Sequence, residues 1–299
     1  MIQPDHRDTG ANRPLAAATD AKASTIWPRV ASSLVLAPIA LAAAYAGGWI
    51  FSGLWAVSAA IILWEWTRLV TGRADLRALV PGLAATLVAL WLTGLDRPAG
   101  AASAIIIGAV VAGLAATVSQ YAGARPISAM WAAGGVLYAG SAFLGPSLLR
   151  RDAQFGLLVI LFLAAVVWST DSLAFFVGRA IGGPLLAPKI SPHKTWAGAL
   201  GGLVGALIGG ISIACVGGLN AFVMLGLIAV GLSAVAQAGD LFESAVKRRF
   251  GAKDASHLIP GHGGLMDRLD GFLVAALAAL VIGILREGMD APARGLLLW

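Results

Sequence analysis

Residues 240–271 read DLFESAVKRRFGAKDASHLIPGHGGLMDRLDG, and they hold five acids, five Lys or Arg and two His. Carboxylates hold hard divalent cations, and ammonium and guanidinium groups hold phosphate, so this mixture points to a metal and a phosphorylated substrate. If residues 267–270 are helical, Asp267 and Asp270 stand at i and i+3 and share one face. Asp240 joins them if the intervening segment folds back. Asp240 and Asp267 are thus the expected metal ligands, with Asp270 in support. Lys247, Arg248 and Lys253 lie between those acids and suit a polyphosphate. Arg249 is read as a lipid-headgroup contact.

PGHGG, Pro260 to Gly264, is a turn whose glycines permit positive φ and close backbone approach to a ligand. Successive amides at Gly263 and Gly264 are suited to cradling a phosphate. His262 is placed to donate to a phosphate oxygen or to orient a carboxylate. No second His or Cys has ligand spacing, which disfavours zinc. His257 is read as a loop residue. A second set of polar residues lies upstream in STDSLAFFVGR and SPHKTWAG. Asp171 falls inside an apolar run, where an acid is a functional candidate by default, and Arg179 follows it. Ser191, Lys194 and Thr195 precede another apolar run and form a candidate phosphate cradle at a helix N-terminus. The GxxxxGK[ST] pattern of a P-loop is absent.

The elements that position these residues are membrane helices. The chain has 299 residues, of which 59% are hydrophobic and 12% charged, and its mean hydropathy is +0.84. Apolar runs of bilayer-crossing length recur at roughly 30–46, 49–67, 78–95, 101–121, 127–149, 154–176, 197–217, 221–239 and 271–286. The expected fold is therefore all-α, a polytopic integral membrane protein of about nine helices. Residues 1–28 read as a disordered cytoplasmic tail, with no apolar core of a signal peptide. Residues 29–150 read as N-terminal transmembrane helices, and 151–299 as the catalytic region with two long loops, about 177–196 and 240–270. Gly198, Gly202, Ala206 and Gly210, like Gly201, Gly205 and Gly209, recur every four residues, which lets another helix approach closely. Glu65, in WEWTR, reads as a structural partner of Arg68.

A net charge of +6 could point to nucleic acid, but in a membrane chain basic residues collect in cytoplasmic loops. With the N-terminus inside, 16 of the 21 Lys and Arg fall on the inner side and 5 on the outer. Both long loops then share the cytoplasmic face. The single cysteine, Cys215, lies in an apolar run and offers neither a disulfide framework nor a metal site.

The pattern Ser244-x-x-Lys247-Arg248-x-x-x-x-Lys253-Asp254, then Pro260-x-His262-Gly263-Gly264-x-x-Asp267-Arg268-x-Asp270, resembles the signature of phosphatidate cytidylyltransferases, also called CDP-diacylglycerol synthases. Asp171…Gly178-Arg179…Ser191-Pro192-x-Lys194-Thr195-Trp196 is similar to that family's second motif. The resemblance is sharp from about 165 to 275. One departure is Ala197, where the family commonly has Glu. The resemblance implies transfer of cytidylate from CTP to phosphatidic acid, with pyrophosphate leaving, and a divalent cation, usually Mg²⁺. It allows a homodimer, and a compact nine-span chain without a targeting peptide suits a bacterial inner membrane. It implies catalytic roles for Asp240, Lys247, Arg248, Lys253, Asp254, His262 and Asp267. Substrate contacts are implied for Asp171, Arg179, Ser191, Lys194, Thr195, Ser244, Gly263, Gly264 and Arg268.

Two other readings compete. A CTP-dependent lipid-alcohol kinase would transfer the γ-phosphoryl group and release CDP. A transporter would place its charges near the midplane on broken helices. A CDP-alcohol phosphotransferase is disfavoured because DGxxAR is missing.

Overall fold

The computed structural model describes residues 34–118, 127–259 and 263–299. The expected tail, 1–28, lies outside them. The apolar runs form helices because a chain in hydrocarbon must satisfy its backbone polar groups internally. In order they are α1 (Leu34–Ala46), α2 (Gly48–Thr71), α3 (Leu76–Gly94), α4 (Pro98–Val118), α5 (Ala129–Arg150) and α6 (Gly156–Ile181). A two-stranded hairpin follows, β1 (Leu185–Ala187) and β2 (Ser191–Thr195), then α7 (Trp196–Val216), α8 (Phe222–Arg249), α9 (Met266–Glu287) and α10 (Pro292–Leu297). Among the described residues eight helices, α2 to α9, are long and apolar enough to cross a membrane. α1 is a shorter apolar helix within the first expected span. The chain is an all-α integral membrane protein.

Helices run into both expected loops. α6 continues to Ile181 rather than ending near 176, and α8 continues to Arg249 rather than ending near 239. α9 likewise begins at Met266, before the apolar run does. Hydropathy falls where a helix leaves the bilayer, but the helix itself persists. Lys and Arg are good helix formers, and the cluster Lys247, Arg248 and Arg249 complements the negative end of the α8 dipole.

The glycine repeats of α7 do what their spacing predicts. A Cβ at Gly198 would lie 2.8 Å from the Ala174 carbonyl oxygen, one at Gly201 2.6 Å from Val177 Cβ, and one at Gly209 2.7 Å from the Ala165 oxygen. α7 thus lies against the α6 backbone, and larger residues would force the pair apart. Gly210 instead faces Ala229 on α8. The β1–β2 hairpin is antiparallel, with Leu185 opposite Thr195. The Thr195 side chain accepts a hydrogen bond from the Gly198 amide at 3.1 Å and caps α7.

Helices of about 22 residues are roughly 30 Å long, so the bundle has two distant ends. One carries the C-terminal parts of α2, α6 and α8 with the N-termini of α7 and α9. The other carries the N-termini of α2 and α6 with the C-termini of α3, α5 and α9.

Candidate active site

At the first end a cavity of about 780 Å³ opens between α6, the hairpin, α8 and the start of α9. α6 contributes Asp171, Phe175 and Arg179, and β2 contributes Ser191, Lys194 and Thr195. α8 contributes Gln237, Asp240 and Lys247, and α9 contributes Asp267, Arg268 and Asp270. Asp254 reaches in from the connection between the last two. The two distant polar segments of the sequence therefore meet in one concavity. Its other wall is apolar, with Ala174, Phe175, Leu186 and Ala236, and Phe175 is exposed on the bundle surface.

Because α8 stays helical through this region, Asp240 and Glu243 stand at i and i+3 on one face. Carboxylate oxygens of Asp240, Glu243 and Asp270 lie within 4.8 Å of one another. Glu243 is fully buried. Its Oε2 is 2.6 Å from Lys247 Nζ, an ammonium that it shares with Asp267. A buried carboxylate is costly unless it is well compensated. Three hard oxygen donors this close, one of them fully buried with a shared counter-ion, fit a divalent cation such as Mg²⁺. Lys194 pairs with Oδ2 of Asp240, and Ser244 Oγ donates to its Oδ1 at 3.4 Å.

Asp267 lines the same cavity. Its Oδ1 receives Lys247 Nζ at 2.6 Å. Its Oδ2 accepts from the Ala255 amide at 2.9 Å and the Gly264 amide at 2.8 Å. It thus also shapes the connection between α8 and α9, and Glu243, unlike Asp267, lies in the tight cluster with Asp240 and Asp270. Lys247 joins the two by bridging Glu243 and Asp267.

Glu65 is structural, as expected, but with other partners. It does not simply serve Arg68, whose guanidinium lies over the Trp64 ring at 4.9 Å. Fully buried near the end of α2, Glu65 accepts from Ser256 Oγ at 2.6 Å, the Leu265 amide at 2.9 Å and the Met266 amide at 2.7 Å. The first amides of a helix have no partner within it and favour negative charge. α9 has no side-chain cap of its own, and Glu65 supplies one from two hundred residues away. This explains the paired glycines: Gly263 has φ +82°, and a Cβ at Gly264 would lie 2.7 Å from Glu65 Oε1.

The remaining expected residues divide. Arg248 turns from the cavity: its Nε donates to the Ile190 carbonyl at 3.4 Å and its Nη1 to the Ala252 carbonyl at 3.2 Å, tying α8 to the hairpin. Lys253 is exposed and outside the lining, and His257 is an exposed loop residue. Arg249 lies 5.7 Å over the Trp131 ring. His262, with Pro260 and Gly261, lies outside the described residues; Ile259 and Gly263, on either side of them, pair with each other. Sequence reasoning missed Glu243, the partners of Glu65, and Gln237 and His193, the last two in the cavity lining. Only Glu243 carried a readable signal, its spacing from Asp240.

The model of the cytidylyltransferase family matches residues 27–285 of this chain. The chain belongs to the cytidylyltransferase family. Relatives include the phosphatidate cytidylyltransferase of Brucella suis biovar 1, 42% identical over 270 residues, which are 90% of this chain and 97% of that one. That of Brucella abortus (strain 2308) is 42% identical over 261 residues, 87% of this chain and 94% of its own. The enzyme of that name from Bacillus subtilis (strain 168) is 45% identical over 126 residues, 42% of this chain and 47% of that one. In this family member the matched stretch includes every described cavity residue named above.

Proposed function

We infer that the protein is a phosphatidate cytidylyltransferase, joining CTP and phosphatidic acid into CDP-diacylglycerol and releasing pyrophosphate. The observation that carries this reading is the joining of the acid cluster and the basic side chains of Lys194, Lys247, Arg179 and Arg268 in one cavity with an apolar wall, in a chain of this family. A phosphate oxygen of phosphatidic acid attacks the α-phosphorus of CTP, and the bond to the β-phosphate oxygen breaks. The nucleophile is already ionised near neutral pH, so no strong general base is needed and catalysis is positioning and charge neutralisation.

Asp240, Glu243 and Asp270 are the residues that would hold a divalent cation, Mg²⁺ in our reading. Such a cation, when bound, supplies charge neutralisation at phosphoryl oxygens. Lys194 and Arg179 stand on the hairpin side with Ser191 and Thr195 and suit one phosphorylated partner. Lys247 and Arg268 stand on the α8–α9 side and suit the other. Asp267 and Glu65 hold the connecting loop in shape. The apolar wall around Phe175 lets acyl chains stay in the bilayer while the headgroup enters. The 16-to-5 distribution of basic residues supports a cytoplasmic cavity in a bacterial inner membrane. The mass of the intact protein in mild detergent tests the homodimer that the resemblance allows.

The test is incubation of the purified protein with CTP, phosphatidic acid and Mg²⁺. Pyrophosphate and CDP-diacylglycerol appear if the reading is right, and chelator stops the reaction until Mg²⁺ is restored. Release of CDP instead would identify the kinase, and turnover persisting in chelator would remove the cation from the scheme.

A further inference from the structure

A second, smaller cavity of about 230 Å³ lies at the opposite end of the bundle, between the start of α2 and the ends of α3 and α5. The described residues contain seven buried side-chain nitrogen or oxygen atoms without a hydrogen-bond partner, and three of them belong to its lining: Thr93 Oγ1, Ser147 Oγ and Arg151 Nη1. Thr93 and Ser147 are more than nine-tenths buried, with 8% and 1% of their surface exposed. Unpartnered buried polar atoms are rare because each costs about 1–3 kcal/mol. Three around one hollow indicate a polar occupant.

The chemistry around the hollow is that of an anion site. Arg150 and Arg151 both line it, against a single acid, Asp96. Arg151 pairs with Asp96 through Nη2 only, leaving Nη1 free. Arg150 is held by the Ala44 and Tyr45 carbonyls, which fix its guanidinium while leaving its charge uncompensated. Gly47 makes room for it, since a Cβ there would lie 2.7 Å from Arg150 Nη2. α2 begins here, at Gly48, with no side-chain cap, so its first amides and positive dipole end face the same space. Trp49 lines the hollow, is half exposed and lies 6.4 Å from the exposed Trp91. Such an aromatic pair marks the headgroup level of a membrane.

We propose that this cavity binds a phosphate group at the membrane surface opposite the catalytic cavity, carried by a lipid headgroup or free in solution. Three full-length proteins test it: wild type, Arg151→Gln and Asp96→Asn. Asn tolerates the positive φ of 59° found at Asp96, so the second variant removes the acid and leaves Arg151 charged. Native mass spectrometry in detergent counts retained phosphatidylglycerol, with diacylglycerol as the phosphate-free control. A parallel arm follows thermal stabilisation by inorganic phosphate. The catalytic cavity contributes equally in all three proteins.

The expected result is phosphatidylglycerol binding about tenfold weaker in Arg151→Gln, equal or tighter in Asp96→Asn, and diacylglycerol retention the same in all. If phosphate stabilises wild type and Asp96→Asn more than Arg151→Gln while lipid retention is equal, the site stands and its ligand is the free anion. Equal behaviour of all three proteins in both arms means that water alone fills the hollow, and it overturns the proposal. So does an equal loss in Asp96→Asn and Arg151→Gln, because the arginine would then act only through its ion pair. Should Arg151→Gln fail to fold, Thr93→Val combined with Ser147→Ala gives the same readouts.

Discussion

Two acids, one at each end of the bundle, are treated in opposite ways. At the end away from the catalytic cavity, Asp152 sits in the turn between α5 and α6. It accepts from the Gln154 amide at 2.8 Å and the Phe155 amide at 2.7 Å through Oδ1, and from Arg294 Nε at 2.7 Å through Oδ2. Burial alone would raise its carboxyl pKa, but the two amides and the guanidinium outweigh that and hold it below the ordinary 3.8. At the cavity end, Glu243 is more deeply buried, and its ion-pair partner Lys247 is shared with Asp267. The first acid is a finished structural joint. The second stands in an acid cluster whose charge the proposed cation would balance.

The sharpest way to break this contrast is to neutralise the acids at the cavity end. Asp240→Asn and Asp270→Asn should each lower CTP turnover by about 10²–10³-fold or more, with the protein still monodisperse by size exclusion. Normal pyrophosphate release in either variant would remove the acid cluster from the chemistry. Glu243→Gln is more discriminating. It should cost about 10–100-fold in turnover, partly recovered by raising Mg²⁺, while thermal stability stays level because Lys247 keeps Asp267 as its partner and one buried charge is gone. A clear fall in stability would show that Glu243 is a structural joint like Asp152.

Glu65→Ala probes a joint at the cavity end. It leaves two α9 amides and Ser256 without their acceptor and should cost about 2 kcal/mol or more, seen in thermal unfolding. Faster amide exchange across residues 250–265 should accompany it. The smallest effect belongs to Asp152. Its carboxyl pKa is lower folded than unfolded, so its contribution is full above the unfolded value near 4 and fades as the pH falls through the folded value. Asp152→Asn should flatten stability across that acidic window, by no more than about 1 kcal/mol for a pair with an exposed arginine, and leave turnover at neutral pH unchanged.

Much of the molecule was legible from residue types. Bilayer-length apolar runs mark the helices, and the four-residue glycine spacing marks the α6–α7 contact. Asp267 and Asp270 stand out by their i,i+3 spacing. Asp240 and Glu243 have the same spacing, but hydropathy drops at 239, and a helix read from hydropathy alone stops too early to place Glu243 beside Asp240. Charge without direction misleads in the same way: Arg248 belongs to the same basic cluster as Lys247, yet it turns to the hairpin backbone. The bond between Glu65 and the start of α9 has no trace in the sequence, because one chain alone carries no record of which distant residues meet.

That bond also orders events during synthesis. Glu65 leaves the ribosome some two hundred residues before the amides it will receive. The nascent protein therefore carries an unanswered carboxylate through the insertion of six further helices, α3 to α8, and the loop joining α8 to α9 cannot settle until α9 arrives. A chain cut short before α9 lacks its catalytic geometry altogether, so activity reports that the whole polypeptide has been built.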